Sequence, residues 1–170
     1  MRYGIFTLSI LILSVPFSAG AQDKSSVQVQ ATAGYRNAII EGTCLGGGQI
    51  TAGGALGYYF TPRVIVGPEV LLTRSCERQV FTFYHPQLSV MMRAAVDLNE
   101  NSHIRPFLTG SGGFVRHRTF YSGSLYKAAV GGGAGSKFFL STRVFVAPEI
   151  QVEVPVAALR ITVSLGVRIR

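Results

Sequence analysis

Beyond its opening residues the sequence has no apolar run approaching the ~20 continuous residues of a membrane helix, which excludes a helical membrane bundle. Sustained helical periodicity is also missing, so bundles of amphipathic helices are excluded. Charge is scarce at 14% of residues, although the mean hydropathy is positive at +0.33. Acids are the scarcest group, eight against sixteen Lys and Arg, for a formal charge of +8. Groupings fit for catalysis are thin. His85, His103 and His117 lie far apart. Gly131-Gly132-Gly133 lacks the Lys-Ser/Thr that a phosphate loop requires, and reads as relief of crowding. No catalytic, cofactor-binding or metal-ligating residue is assigned, and no cofactor is expected.

The first residues give an address. Arg2 precedes a nearly unbroken apolar run, Gly4 to Phe17, and Ala19-Gly20-Ala21 supplies a small-x-small cleavage pattern. Residues 1–21 are therefore expected to be a secretory signal peptide, and residues 22–170 a single domain. In a cytosolic protein the basic excess would suggest nucleic acid. An exported chain meets none, so anionic lipid or lipopolysaccharide phosphate is the expected counterpart. Cys44 and Cys76 are the two cysteines, and in an exported protein the pair reads as a disulfide before a metal site.

Apolar residues are spread through alternating segments separated by turn signals. The chain ends LRITVSLGVRIR, from Leu159 to Arg170, with a bulky aliphatic at odd positions until the end and Arg, Thr, Ser or Gly at even ones. Strands point successive side chains to opposite faces. The same period marks Ser26 to Arg36, Gly48 to Phe60, Val64 to Thr73, Val80 to Leu98, Leu125 to Leu140 and Arg143 to Val154. Arg105 to Arg116 is glycine-rich, and its facing is undecided. The expected fold is all-β, with eight strands. Arg63-Val64-Ile65-Val66-Gly67-Pro68-Glu69-Val70 also matches Arg143-Val144-Phe145-Val146-Ala147-Pro148-Glu149-Ile150 at an offset of 80 residues (143 − 63). A four-strand unit used twice would make eight. Tight turns at Thr61-Pro62-Arg63 and Ser141-Thr142-Arg143 alternate with mostly longer connections, Asn37 to Gly47, Arg74 to Gln79 and His117 to Ser124. Outer-membrane barrels show this asymmetry between periplasmic turns and outer loops.

Two solvents could meet the apolar face: a soluble core, as in a lipocalin-like barrel, or lipid. The apolar set is long and aliphatic. The opposite set holds Gly53, Ala55, Gly57, Gly131, Gly133, Gly135, Thr162 and Ser164 beside charges. Small residues and paired charges suit the narrow interior of eight strands, which points the aliphatic face to lipid. Aromatics near strand ends fit two interfacial girdles: Tyr58, Tyr59, Phe60, Phe138 and Phe139 at the turns, Phe114 and Tyr126 among those at the loops. Inward charges expected to pair are Glu69, Arg93, Asp97, Glu149, Glu153, Arg160 and Arg168, with Lys127 and Lys137 as further bases. Arg36, Arg74, Arg78, Arg116, Arg118 and Lys127 fall near outer strand ends and are candidate lipopolysaccharide contacts.

The stretches GGALGYYFTPRVIVGPEV and RPFLTGSGGF, the leader and the alternating final strand resemble the small outer-membrane β-barrel proteins, the porin-like family that includes outer-membrane proteins A and X. The resemblance covers residues 22–170. It implies an eight-stranded antiparallel up-and-down transmembrane barrel, a bacterial outer-membrane location, a monomer, and a non-enzymatic role in envelope integrity or surface adhesion. It also implies assembly by the barrel-assembly machinery. The family usually ends on an aromatic residue; this chain has Ile169-Arg170 there. Some barrels of this class are lipid A deacylases with a Ser–His pair near the outer rim. His117 with Ser122 or Ser124 is the corresponding alternative here.

Overall fold

The computed structural model describes residues 26–38, 48–75, 87–99, 102–119, 123–155 and 157–169. Eight strands run in chain order: β1 (Val27–Ala38), β2 (Gln49–Tyr59), β3 (Val64–Ser75), β4 (Gln87–Asp97), β5 (Ile104–Thr119), β6 (Gly123–Phe139), β7 (Val144–Val154) and β8 (Ala158–Ile169). Each pairs antiparallel with its chain neighbours. β1 also pairs with β8, from Val27↔Ile169 to Ala38↔Ala158, so the sheet closes into a barrel without edges. Six of the strands are 11 or 12 residues long, at or just above the ~9–11 of a tilted transmembrane strand. β5 and β6 reach 16 and 17 residues and stay paired to Thr119↔Gly123. The expected loop from His117 to Ser124 is therefore largely strand. Ladder pairing from His117↔Leu125 to Thr119↔Gly123 carries the strands into this polar stretch.

Two matched hairpins set the near end. In β2–β3 the amide of Phe60 donates to Val64 O at 2.9 Å; in β6–β7 that of Leu140 donates to Val144 O at 2.9 Å. Thr61 Oγ1 and Ser141 Oγ then accept from the amides of Val64 (3.0 Å) and Val144 (3.1 Å). The two copies of the sequence repeat thus fold alike, because both place a hydroxyl residue three positions before the returning strand.

The barrel is inverted relative to a water-soluble one. Among the described residues 29 large apolar or aromatic side chains are exposed, against 11 buried hydrophobics, so packing does not hide the greasy face. Water-soluble monomers rarely expose apolar patches beyond a few hundred Å². Along β8, Ile161, Val163, Leu165, Val167 and Ile169 are exposed while Arg160, Thr162 and Ser164 are buried. The outward set is continuous around the barrel, with Leu56, Leu72, Met92, Leu108, Val130 and Ile150 on successive strands. A closed barrel with this outer surface is a transmembrane β-barrel.

The glycine-rich β5 resolves by register: Phe107, Thr109 and Val115 face in, and Leu108 and Phe114 face out. Inward glycines of β6 and β8 make room for Phe107 and for Phe145 of β7. A Cβ on Gly135 would lie 2.6 Å from Phe107 Cζ, and one on Gly166 would collide with the Phe145 ring.

Candidate functional site: a charged interior and a lipid-facing belt

The interior is built from side chains that alternate inward on all eight strands. Each of its acids is paired. Glu69, Asp97, Glu149 and Glu153 are all the acids among the described residues, and all point inward. Four bases answer them: Arg36, Arg93, Lys137 and Arg160.

At the centre Arg93 bridges two acids on opposite sides. Its Nη2 donates to Glu149 Oε2 at 2.5 Å, and its Nη1 lies 3.8 Å from Glu69 Oε1. Gln30 Oε1 takes a further bond from Nη1 at 3.0 Å. Glu149 Oε1 also accepts from Thr109 Oγ1 at 2.7 Å and Gln151 Nε2 at 2.5 Å. Arg160 joins Glu69 (3.3 Å) to Glu153 (3.2 Å) and donates to Gln151. Glu153 then accepts from Arg36 Nε at 2.9 Å, and Arg36 reaches Gln49 at 3.0 Å. The result is an alternating chain, Glu149–Arg93–Glu69–Arg160–Glu153–Arg36, along the barrel axis. Each carboxylate is neutralised by a base that alternation alone brings inside. Buried charges persist only when so paired.

Nearer the tight turns the interior is aromatic. Lys137 Nζ bonds Asp97 Oδ1 at 2.7 Å. It also stands 5.5 Å from the Phe107 ring centre, 5.7 Å from Phe145 and 5.9 Å from Tyr59, within cation–π range of all three. Arg168 stacks at 4.4 Å on Tyr59 and Arg105 at 4.5 Å on Phe139. Tyr59 donates to Gln28 at 2.8 Å. Between this layer and Arg93 lies a cavity of about 20 Å³, lined by Gln28, Gln30, Arg93 and Lys137 among others, which has room for about one water. Side chains otherwise fill this part of the interior, which suits binding no sizeable solute.

Several sequence expectations change here. Arg36 was expected to contact lipopolysaccharide at the outer rim. The residue is 9% exposed and its side chain is held by Glu153 and Gln49 inside the barrel, so it is not free for that role. Its position has the parity of the inward Gln28, Gln30 and Thr32. Arg168 lies within the turn-side mouth, but its partners are the Tyr59 ring and Ser26 Oγ (3.2 Å) rather than a carboxylate. Tyr59 and Phe139 do not join the lipid-facing girdle. Adjacent residues cannot share a face, so Tyr58, Phe60 and Phe138 are exposed while Tyr59 is buried and Phe139 packs against Phe107, Phe145 and Ala147. The inward Phe107 and Phe145 were not singled out. The matching inward-facing glycines Gly135 and Gly166 are the signal that could have found them.

At the outer end Arg74 and Arg116 are exposed on outward-facing positions, and the Arg116 guanidinium lies 6.0 Å from the Tyr126 ring centre. Lys127 is exposed above the mouth beside Arg36 and Glu153. Cys44, Arg78, Cys76, His85 and Ser122 lie outside the described residues, as do the side chains of His117, Arg118 and Ser124. The leader, residues 1–21, lies outside them too. No metal-binding group of His, Cys, Asp or Glu occurs among the described residues.

No protein-family model matches the chain, and no curated protein does. Solved structures do. Neisserial surface protein A is similar with a TM-score of 0.63 at 14% identity, covering 84% of this chain and 96% of that one. The N-terminal β-barrel domain of Pseudomonas aeruginosa OprF gives 0.60 at 16% identity, covering 85% and 97%. A de novo designed transmembrane β-barrel gives 0.54 at 10% identity, covering 85% and 95%. At such identities the likeness is one of fold. That fold is the small eight-stranded barrel of outer-membrane proteins.

Proposed function

We propose that this protein is a non-enzymatic integral barrel of the bacterial outer membrane that contributes to envelope integrity or surface adhesion. The observation that carries the reading is the inverted distribution of polarity: a continuous aliphatic exterior around an interior whose four described acids are all paired. A filled lumen supports a structural or surface-presenting role over transport of solutes. The similar solved structures support an outer-membrane location; in this reading the leader at residues 1–21 and the barrel-assembly machinery deliver the chain, with the tight turns in the periplasm.

Arg74 and Arg116 are the cations best placed to meet lipopolysaccharide phosphates, with Lys127; Arg78 and Arg118 follow them closely in the sequence. The test is fractionation of the intact chain with heat-modifiable migration on gels. Recovery in the outer membrane, with faster migration before boiling, is expected. Recovery as a soluble periplasmic protein would overturn the reading.

A further inference from the structure

The two tight turns present the same surface twice. The amides of Arg63 and Arg143 each donate to the hydroxyl two residues earlier, Thr61 Oγ1 and Ser141 Oγ, both at 3.3 Å. Their carbonyls each accept from the next strand, from Asp97 N and from Arg168 N, both at 2.8 Å. Each arginine backbone is thus fixed from two sides, and each side chain is exposed. Three residues earlier stand Phe60 and Leu140, 64% and 69% exposed and facing outward at the edge of the apolar belt. Phe60 meets Tyr58 edge-on at 5.4 Å, which holds its ring against the outer wall.

Among the described residues, bases outnumber acids at this end. Arg105, Arg168 and His103 lie at the same end. Asp97 is the acid described there, and Lys137 occupies it.

We propose that each turn is a site for the headgroup of an anionic phospholipid in the leaflet nearest the tight turns. Phe60 and Leu140 enter the acyl region, and Arg63 and Arg143 meet the lipid phosphate. The inference rests on the reading of the aliphatic exterior as membrane-facing. An apolar side chain set one turn ahead of a cation matches the boundary between hydrocarbon and headgroups. An anionic glycan approaching from the aqueous side would leave Phe60 and Leu140 in water, which favours lipid as the occupant.

The intact protein, refolded into vesicles of phosphatidylglycerol and phosphatidylcholine in equal parts, tests this by native mass spectrometry of co-released lipid. Preferential retention of phosphatidylglycerol is expected. It should weaken about fivefold for each arginine lost in Arg63→Gln and Arg143→Gln, and persist in Arg63→Lys/Arg143→Lys. Absence of a preference would overturn the proposal. So would a preference that survives the double Gln variant, or one lost only on Arg74→Gln/Arg116→Gln. Arginine-dependent sedimentation with purified peptidoglycan, with no lipid preference, would assign the turns to the glycan and reject the lipid. Heat-modifiable migration of every variant reports barrel insertion separately, so failure of the membrane reading is distinguishable from failure of the lipid site.

Discussion

Glu69 and Glu149, 80 residues apart (149 − 69) at matching positions of the repeat, converge on one guanidinium, that of Arg93. The repeat places the two acids on different sides of the lumen. Arg93 spans between them because the sheet closes. Replacing Glu149 by Leu should leave Arg93 only the more distant Glu69 as a counter-charge and cost about 3–5 kcal/mol. Glu69→Leu should cost a similar amount, since Arg160 also loses a partner. Urea unfolding in detergent micelles measures both. Wild-type midpoints in both variants would show that the chain of charges contributes nothing to stability.

The aromatic layer gives a steric prediction. Gly166→Ala drives a methyl into the Phe145 ring, and Gly135→Ala drives one against Pro148 O and Phe107 Cζ. Each should cost about 1–3 kcal/mol. Gly110→Ala, on the outer face with nothing within 4 Å of its added methyl, should be near neutral. Equal thermal midpoints for all three variants would contradict the placement of those rings.

The outward face predicts sharp asymmetry between adjacent residues. Val163 and Leu165 are 52% and 54% exposed in the middle of β8. Changing either to Arg should reduce insertion by about 2–4 kcal/mol near mid-bilayer. Ser164→Ala removes one buried hydrogen bond, to Thr32 at 2.8 Å, and should cost only about 1 kcal/mol. Folded fraction on unboiled gels ranks the three. Efficient insertion of both arginine variants would be incompatible with a lipid-facing belt.

The cysteines supply a fourth test. β2 and β3 are still side by side at Gln49↔Ser75, one residue before Cys76 and five after Cys44. A disulfide there should stabilise by about 3 kcal/mol on the chain-entropy model. Intact mass without reduction should be two hydrogens lighter than after reduction. Alkylation of both cysteines in the unreduced protein would exclude the bridge.

Much of this was legible because one rule, alternation, governs both faces of a barrel strand. It correctly turned the odd residues of the last strand outward, and the same rule applied to Arg36 would have placed it inside. Reading its strand-end position as a rim address overrode the parity. The pair Tyr58-Tyr59 shows the same conflict: composition suggests a girdle, but the pleat allows only one ring to face lipid. On β5 an apolar-out rule fails, because Phe107 and Val115 fill the lumen beside Gly135 and Ala129. Pairings such as Lys137 with Asp97, from β6 to β4, or Arg93 with Glu149, from β4 to β7, join strands that are not neighbours. They exist only through curvature and register of the closed sheet, which a strand-by-strand reading does not contain.

The central claim is which face meets lipid, and the chain offers a clean probe, since it has no tryptophan. Single variants Ile150→Trp and Leu165→Trp place an indole on the outer face; Phe107→Trp and Phe145→Trp place one inside. Fluorescence quenching by phospholipids brominated along the acyl chains reads the difference directly. Strong quenching of the first pair and little of the second is predicted. Equal quenching of all four, or stronger quenching at Phe107 and Phe145, would contradict the account.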